Sequence, residues 1–129
     1  MIKRPLHARF TSAVREGRKI TTIRDKPWTV GKPVMLYNWS GAAYRSPQND
    51  VAAVMVDSTT PIGVTRLKSG VMIYSYSTLG DERLVHLWAC EGFDHSADMD
   101  AWFSALLEPA TTVTKHLMRF SLVKPETEV

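Results

Sequence analysis

Cysteine is nearly absent from this chain of 129 residues, and Cys90 stands alone. A single thiol excludes an internal disulfide and any zinc cluster built on several cysteines. No apolar run approaches the roughly 18 residues of a membrane span. The opening MIKRPLHARF is basic but has no apolar stretch behind it, so no secretory signal is expected. The chain has no G-x-S-x-G elbow, no Walker loop and no G-x-G-x-x-G. His7, His86, His95 and His116 lack metal-ligand spacing, so neither a metal nor another cofactor is expected. Repeats and low-complexity tracts are missing too. These absences leave a small soluble domain, expected in the cytoplasm, with no membrane partner.

The 44% apolar and 22% charged content is enough for one core, so residues 1–129 read as a single domain with 124–129 a frayed tail. The net charge of +3 conceals an asymmetry. Residues 1–45 carry ten Lys or Arg against Glu16 and Asp25, a surplus of +8, and residues 46–129 carry −5. Such a basic third either attracts phosphates of nucleic acid or nucleotides, or pairs with the acidic remainder across the fold.

Leu6, Phe10, Ala13 and Val14 recur at helical spacing, and Gly17 is placed to end that helix near Glu16. KITTIR, residues 19–24, reads as a strand, as does the apolar run Val34 to Trp39. GAAYRSPQND, residues 41–50, reads as a polar loop. Three further strands are expected over Val51 to Val56, Ile62 to Leu67 and Val71 to Tyr76, divided by Pro61 and by Ser69-Gly70. Leu84, Leu87 and Trp88 form a helical stripe that Glu91 ends, and Gly92 is a plausible stop. Ser96 reads as the N-cap of a third helix, with Met99, Trp102, Phe103, Leu106 and Leu107 on one apolar face. Met118, Phe120 and Leu122 alternate in a last strand. The sum is an α+β fold: five to six short strands in a closed or nearly closed β-barrel, with about three flanking helices.

Chemistry concentrates in Gly17-Arg18-Lys19-Ile20-Thr21-Thr22-Ile23-Arg24, where a hydroxyl stands between two cationic groups directly after a helix end. On a regular strand Thr22 and Arg24 share a face that Lys19 does not, so Lys19 meets Thr22 only from a turn or bulge beside Gly17. The same segment also reads as a basic, threonine-rich edge strand. Glu91 ends an apolar stripe at a helix C-terminus, where a carboxylate needs a cation close by; its other course is to leave the helix towards solvent. Cys90 beside it reads as packing. Tyr37, Trp39 and Tyr44 flank the polar loop and could stack on a base, although burial suits Tyr37 and Trp39 equally.

GRKITTIR, followed by Gly31, the strand VMLYNW and Ala89-Cys90-Glu91-Gly92-Phe93, resembles the ASCH domain family from about Phe10 to about Leu122. The resemblance implies a PUA-like β-barrel related to RNA-binding modules. One branch of that family, the bacterial N(4)-acetylcytidine amidohydrolases, removes an acetyl group from the exocyclic amine of a modified cytidine with a Lys, a Thr and a Glu. Carried over by position these are Lys19, Thr22 and Glu91, and Arg24 matches the strand arginine. Ile20 stands where the family has its first threonine. The expectation is an amidohydrolase: Thr22 attacks the acyl carbonyl, Lys19 accepts its proton, and Glu91 orients Lys19 or protonates the leaving amine. Arg24, Arg18, Arg45, Tyr37 and Trp39 would bind the nucleoside or nucleobase. The alternative is a non-catalytic RNA- or nucleotide-binding module, with Arg15, Arg18, Lys19, Arg24 and Arg45 on phosphates.

Overall fold

The computed structural model describes residues 1–68, 70–75, 82–83, 87–108 and 110–123. The expected stretches at Leu84, His86, Ser69, Tyr76 and the tail 124–129 lie outside these residues. The fold is α+β. A seven-stranded sheet comprises β1 (Ile2–Pro5), β2 (Thr21–Arg24), β3 (Pro33–Trp39), β4 (Gln48–Leu67), β5 (Gly70–Ser75), β6 (Glu82–Arg83) and β7 (Thr112–Leu122). Among the described residues three helices accompany it: α1 (Thr11–Arg15), entered through a 3-10 turn at Ala8–Phe10, α2 (Leu87–Cys90) and α3 (Ser96–Leu106). No described helix is long and apolar enough to cross a membrane.

The organising element is β4. The sequence suggested two strands broken before Pro61, yet one strand of 20 residues runs through it. β7 pairs antiparallel along one side of β4, from Val54↔Leu122 to Thr65↔Thr112, with a bulge between Val56 and Ser58. The other side is shared. β3 occupies its first part as far as Met55, and β5 its last part from Ile62. Pro61 falls in the interval between them, where that edge has no ladder for the missing N–H to interrupt. β1 pairs parallel with β3, β2 antiparallel with β7, and β6 with β5. Neither β1 nor β6 was expected, because Ile2–Pro5 and Glu82–Arg83 are too polar and short for an alternating pattern.

The sheet curls but does not close into a barrel. Its end strands β1 and β2 share no ladder. A side chain bridges them instead: Arg24 Nη2 donates to the Pro5 carbonyl at 2.7 Å. The concave face is filled by Val14, Leu36, Val54, Val56, Ile62, Ile73 and Met118, all at most 2% exposed. α3 covers the core with Met99 and Phe103, whereas Leu106 on the expected apolar face is 68% exposed and Trp102 half-buried. Ser96 is the first helical residue rather than the cap; His95 holds the cap position without a side-chain hydrogen bond.

Candidate active site

Two left-handed glycines bring the chemistry together. Gly17 (φ +76°) ends α1 and turns the chain back, so that the N–H groups of Arg18 and Lys19 both donate to the Ala13 carbonyl at 2.8 and 2.9 Å. Gly92 (φ +89°) does the same after α2, where Phe93 N donates to the Trp88 carbonyl at 3.0 Å. The two helix ends abut. A Cβ on Gly92 would stand 2.9 Å from Lys19 Cβ and 3.2 Å from Ala13 Cβ. Ile20 N then donates to the Cys90 carbonyl, and Phe120 N to the Ile20 carbonyl. Strand β2 therefore starts only at Thr21, and Lys19 lies in the turn before it, the one placement from which it and Thr22 can face the same space.

Lys19 (3% exposed) and Glu91 (4%) are buried together. Lys19 Nζ donates to the Glu91 backbone carbonyl at 2.9 Å, lies 3.8 Å from Glu91 Oε1 and sits 4.7 Å from the centre of the Phe10 ring. Burial pulls the lysine below its ordinary pKa, the Arg24 charge adds to that, and Glu91 opposes both. The other Glu91 oxygen, Oε2, accepts a hydrogen bond from Thr21 Oγ1. Thr22, also buried, accepts from Arg24 Nε at 3.0 Å, which leaves its own hydroxyl proton free to be given up. Arg24 lies 5.1 Å over the Trp28 ring, and its pKa is lowered by burial, with Arg4 adding repulsion and Glu91 opposing.

A cavity of about 520 Å³ opens at the seam between β1 and β2. Lys19, Thr22, Arg24 and Glu91 line it, as do Trp39 and Tyr44. Of the residues expected to bind substrate, Arg24 and Trp39 are therefore at the cavity, and Arg18, Arg45 and Tyr37 are not among its lining. Arg18 points to solvent and pairs with Glu16 at 2.7 Å. Arg45 is exposed on the loop after β3. Tyr37 is buried, its ring edge-on to Trp39 at 5.4 Å. Arg15 donates instead to the carbonyls of Asp50 and Val51.

Sequence reasoning missed four contributors. Thr21 was read only as part of the strand. His7, Trp102 and Lys115 also line the cavity, from three separate parts of the chain. His7 meets the Trp102 ring edge-on at 5.1 Å, and Lys115 is ion-paired to Asp25, whose carboxyl that hydrogen bond holds below its ordinary value. The Thr22–Arg24 face shared along β2 was legible; the neighbours drawn from β7 and α3 required the fold.

Among the described residues no group of three or more His, Cys, Asp or Glu is placed to hold a metal ion. Chemically, the cavity offers a desolvated amine, a hydroxyl with a free proton, a fixed guanidinium and a carboxylate that braces the amine. Comparison with protein-family models, curated proteins and solved structures returned no match for the chain.

Proposed function

We propose that this protein is a cytoplasmic hydrolase that removes an acyl group from the exocyclic amine of a nucleobase or nucleoside of the N(4)-acetylcytidine type. The observation that carries the reading is that Lys19, Thr22, Arg24 and Glu91 line one cavity, with Lys19 buried where its charged form is disfavoured. The resemblance of GRKITTIR and EGF to the ASCH amidohydrolases points the same way. The cavity volume falls inside the roughly 300–1,000 Å³ range of small-molecule sites.

In this mechanism neutral Lys19 takes the Thr22 proton as Thr22 Oγ attacks the acyl carbonyl. Arg24, already hydrogen-bonded to that hydroxyl, faces the developing oxyanion. Lys19 passes the proton to the amide nitrogen, the acyl C–N bond breaks, and the exocyclic amine leaves free while the acyl group stays on Thr22 Oγ as an ester. Water then attacks the ester, giving one proton to Lys19, which passes it to Thr22 Oγ as the ester C–O bond breaks, so that the carboxylic acid is released and Thr22 and neutral Lys19 are regenerated. Glu91 does not enter these steps. Its carbonyl and Oε1 hold Lys19, and Thr21 holds its Oε2, so its role is to aim the amine.

The test is chromatographic: N(4)-acetylcytidine is incubated with the protein and cytidine release is followed. Thr22→Ala abolishes turnover, and Lys19→Met lowers it by at least about 100-fold, the size of a general-base contribution. Turnover that survives Thr22→Ala discards the nucleophile. No turnover, together with RNA affinity that falls steeply with salt and survives Thr22→Ala, replaces the enzyme with a binding module.

A further inference from the structure

The mouth of the cavity holds an aromatic side chain that is almost wholly exposed to water. Tyr44 is 88% exposed, lines the cavity and has φ +64°, a conformation that Gly or Asn adopts readily and a bulky residue adopts only at a cost. The loop around it is braced. Ser40 N donates to the Pro47 carbonyl, Gly41 N to Ser46 Oγ, Ser46 Oγ to the Ala42 carbonyl and Arg45 N to the same carbonyl, at 2.8–3.1 Å. These bonds hold Tyr44 in its strained conformation. Its ring rests on Trp39 (centroids 5.2 Å apart), which rests in turn on buried Tyr37. Among the lining residues from α3, Leu106 is 68% exposed and Trp102 is half-buried. Tyr44 and Leu106 thus leave large apolar groups in water at the cavity's edge, while Lys19 and Glu91 are buried within it.

We propose that Tyr44, backed by Trp39, is the stacking platform for a planar nucleobase entering this cavity, and that it selects ligands by the planarity of the ring. A flat, uncharged heterocycle is the chemistry that this mouth recognises: it gains from an aromatic face, and its exocyclic edge reaches the polar groups beyond. The proposal rests on the reading of the cavity as a nucleobase site. It does not require the hydrolytic step.

The experiment compares wild type, Tyr44→Phe and Tyr44→Asn. Asn removes the ring but suits the left-handed backbone. Cytidine, uridine and adenosine are titrated, with 5,6-dihydrouridine as the non-planar control, by tryptophan fluorescence and ligand-observed NMR, and Tm is measured alongside. The planar nucleosides bind wild type and Tyr44→Phe within about threefold of each other, and dihydrouridine binds more weakly. Tyr44→Asn loses about 5- to 150-fold in affinity, the value of one base–aromatic stack, with Tm unchanged within about 2 °C because strain relief offsets the lost Trp39 contact. Unchanged affinity in Tyr44→Asn overturns the proposal, as does equal binding of dihydrouridine or the absence of any nucleoside binding. A Tm fall of several degrees makes Tyr44 a structural residue and overturns it too. Tyr44-dependent binding without N(4)-acetylcytidine turnover supports the platform and sinks the hydrolase; turnover with an unchanged KM in Tyr44→Asn does the reverse.

Discussion

Replacing Glu91 by Gln keeps the side-chain volume and an acceptor for Thr21 but removes the only carboxylate facing Lys19 among the described residues. While Lys19 is protonated, at 3.8 Å and an effective dielectric near 20 that attraction is about 4 kcal/mol; the neutral amine, the form that can accept a proton, does not feel it. Removing one partner of a buried pair costs roughly 3–5 kcal/mol. Here the loss falls at the lower end, because Lys19 keeps the Glu91 carbonyl and the Phe10 ring and can also shed its proton. About 3 kcal/mol is expected at pH 7, or roughly 10 °C in Tm for a domain of this length. The pH dependence is the sharper test. Lys19 in the fold lies below its ordinary 10.5, so between the folded value and 10.5 the unfolded chain binds more protons and stability rises with pH. Glu91 opposes that lowering; without it the folded value drops further and the rise begins at lower pH. The deficit of Glu91→Gln against wild type therefore shrinks as pH climbs from 6 to 10. Urea denaturation across that range measures it, and Lys19→Met, which has no proton to bind, shows a flatter profile. A deficit under about 1 kcal/mol at pH 7, or one constant from pH 6 to 10, would refute the coupling.

Much of the fold was legible because glycine and alternation are strong local signals. Gly17 and Gly92 ended their helices as expected, and β3 and β7 formed where their apolar patterns put them, although β3, expected to be buried, leaves Met35, Asn38 and Trp39 half-buried, and Leu122 lies at the exposed end of β7. β4 was not legible as one strand. Pro61 is a breaker by its own chemistry, and only the gap between β3 and β5 on that edge makes it harmless. Open closure was equally hidden. The count of short strands suggested a barrel, but a 20-residue strand shared by three partners uses that strand length without joining β1 to β2.

The site was legible where it is local. Lys19 and Thr22 could meet only if Lys19 left the strand, and the turn set by Gly17 meets that condition. Glu91 was marked by its place at the end of an apolar stripe, and Lys19 is the cation such a carboxylate needs. Thr21 went unnoticed because alternation points it away from Thr22, and that was taken as pointing away from the chemistry. Both faces of β2 are covered, so Thr21 (4% exposed) reaches Glu91 as Thr22 (5%) reaches the cavity.

Two further consequences concern that same junction. Thr21→Val removes the donor to Glu91 Oε2 without changing shape and costs about 1–3 kcal/mol in urea denaturation, whereas Thr21→Ser restores most of it; equal stability of Val and wild type would mean that the carboxylate finds another donor. Gly92→Ala tests whether the two helix ends are locked together. The new Cβ meets Lys19 Cβ at 2.9 Å and Ala13 Cβ at 3.2 Å, on a backbone at φ +89°. Lys19 cannot step aside, because its N–H is bonded to Ala13 and the next N–H to Cys90. Left-handed strain and overpacking together cost about 3 kcal/mol, and relief comes from the end of α2 backing away from Lys19, which carries Glu91 with it and weakens its hold on the amine. Thermal denaturation reads the first effect and N(4)-acetylcytidine turnover the second. A Gly92→Ala protein as stable as wild type would show that α1 and α2 slide apart at little cost, and Lys19 would then owe its position to Glu91 alone.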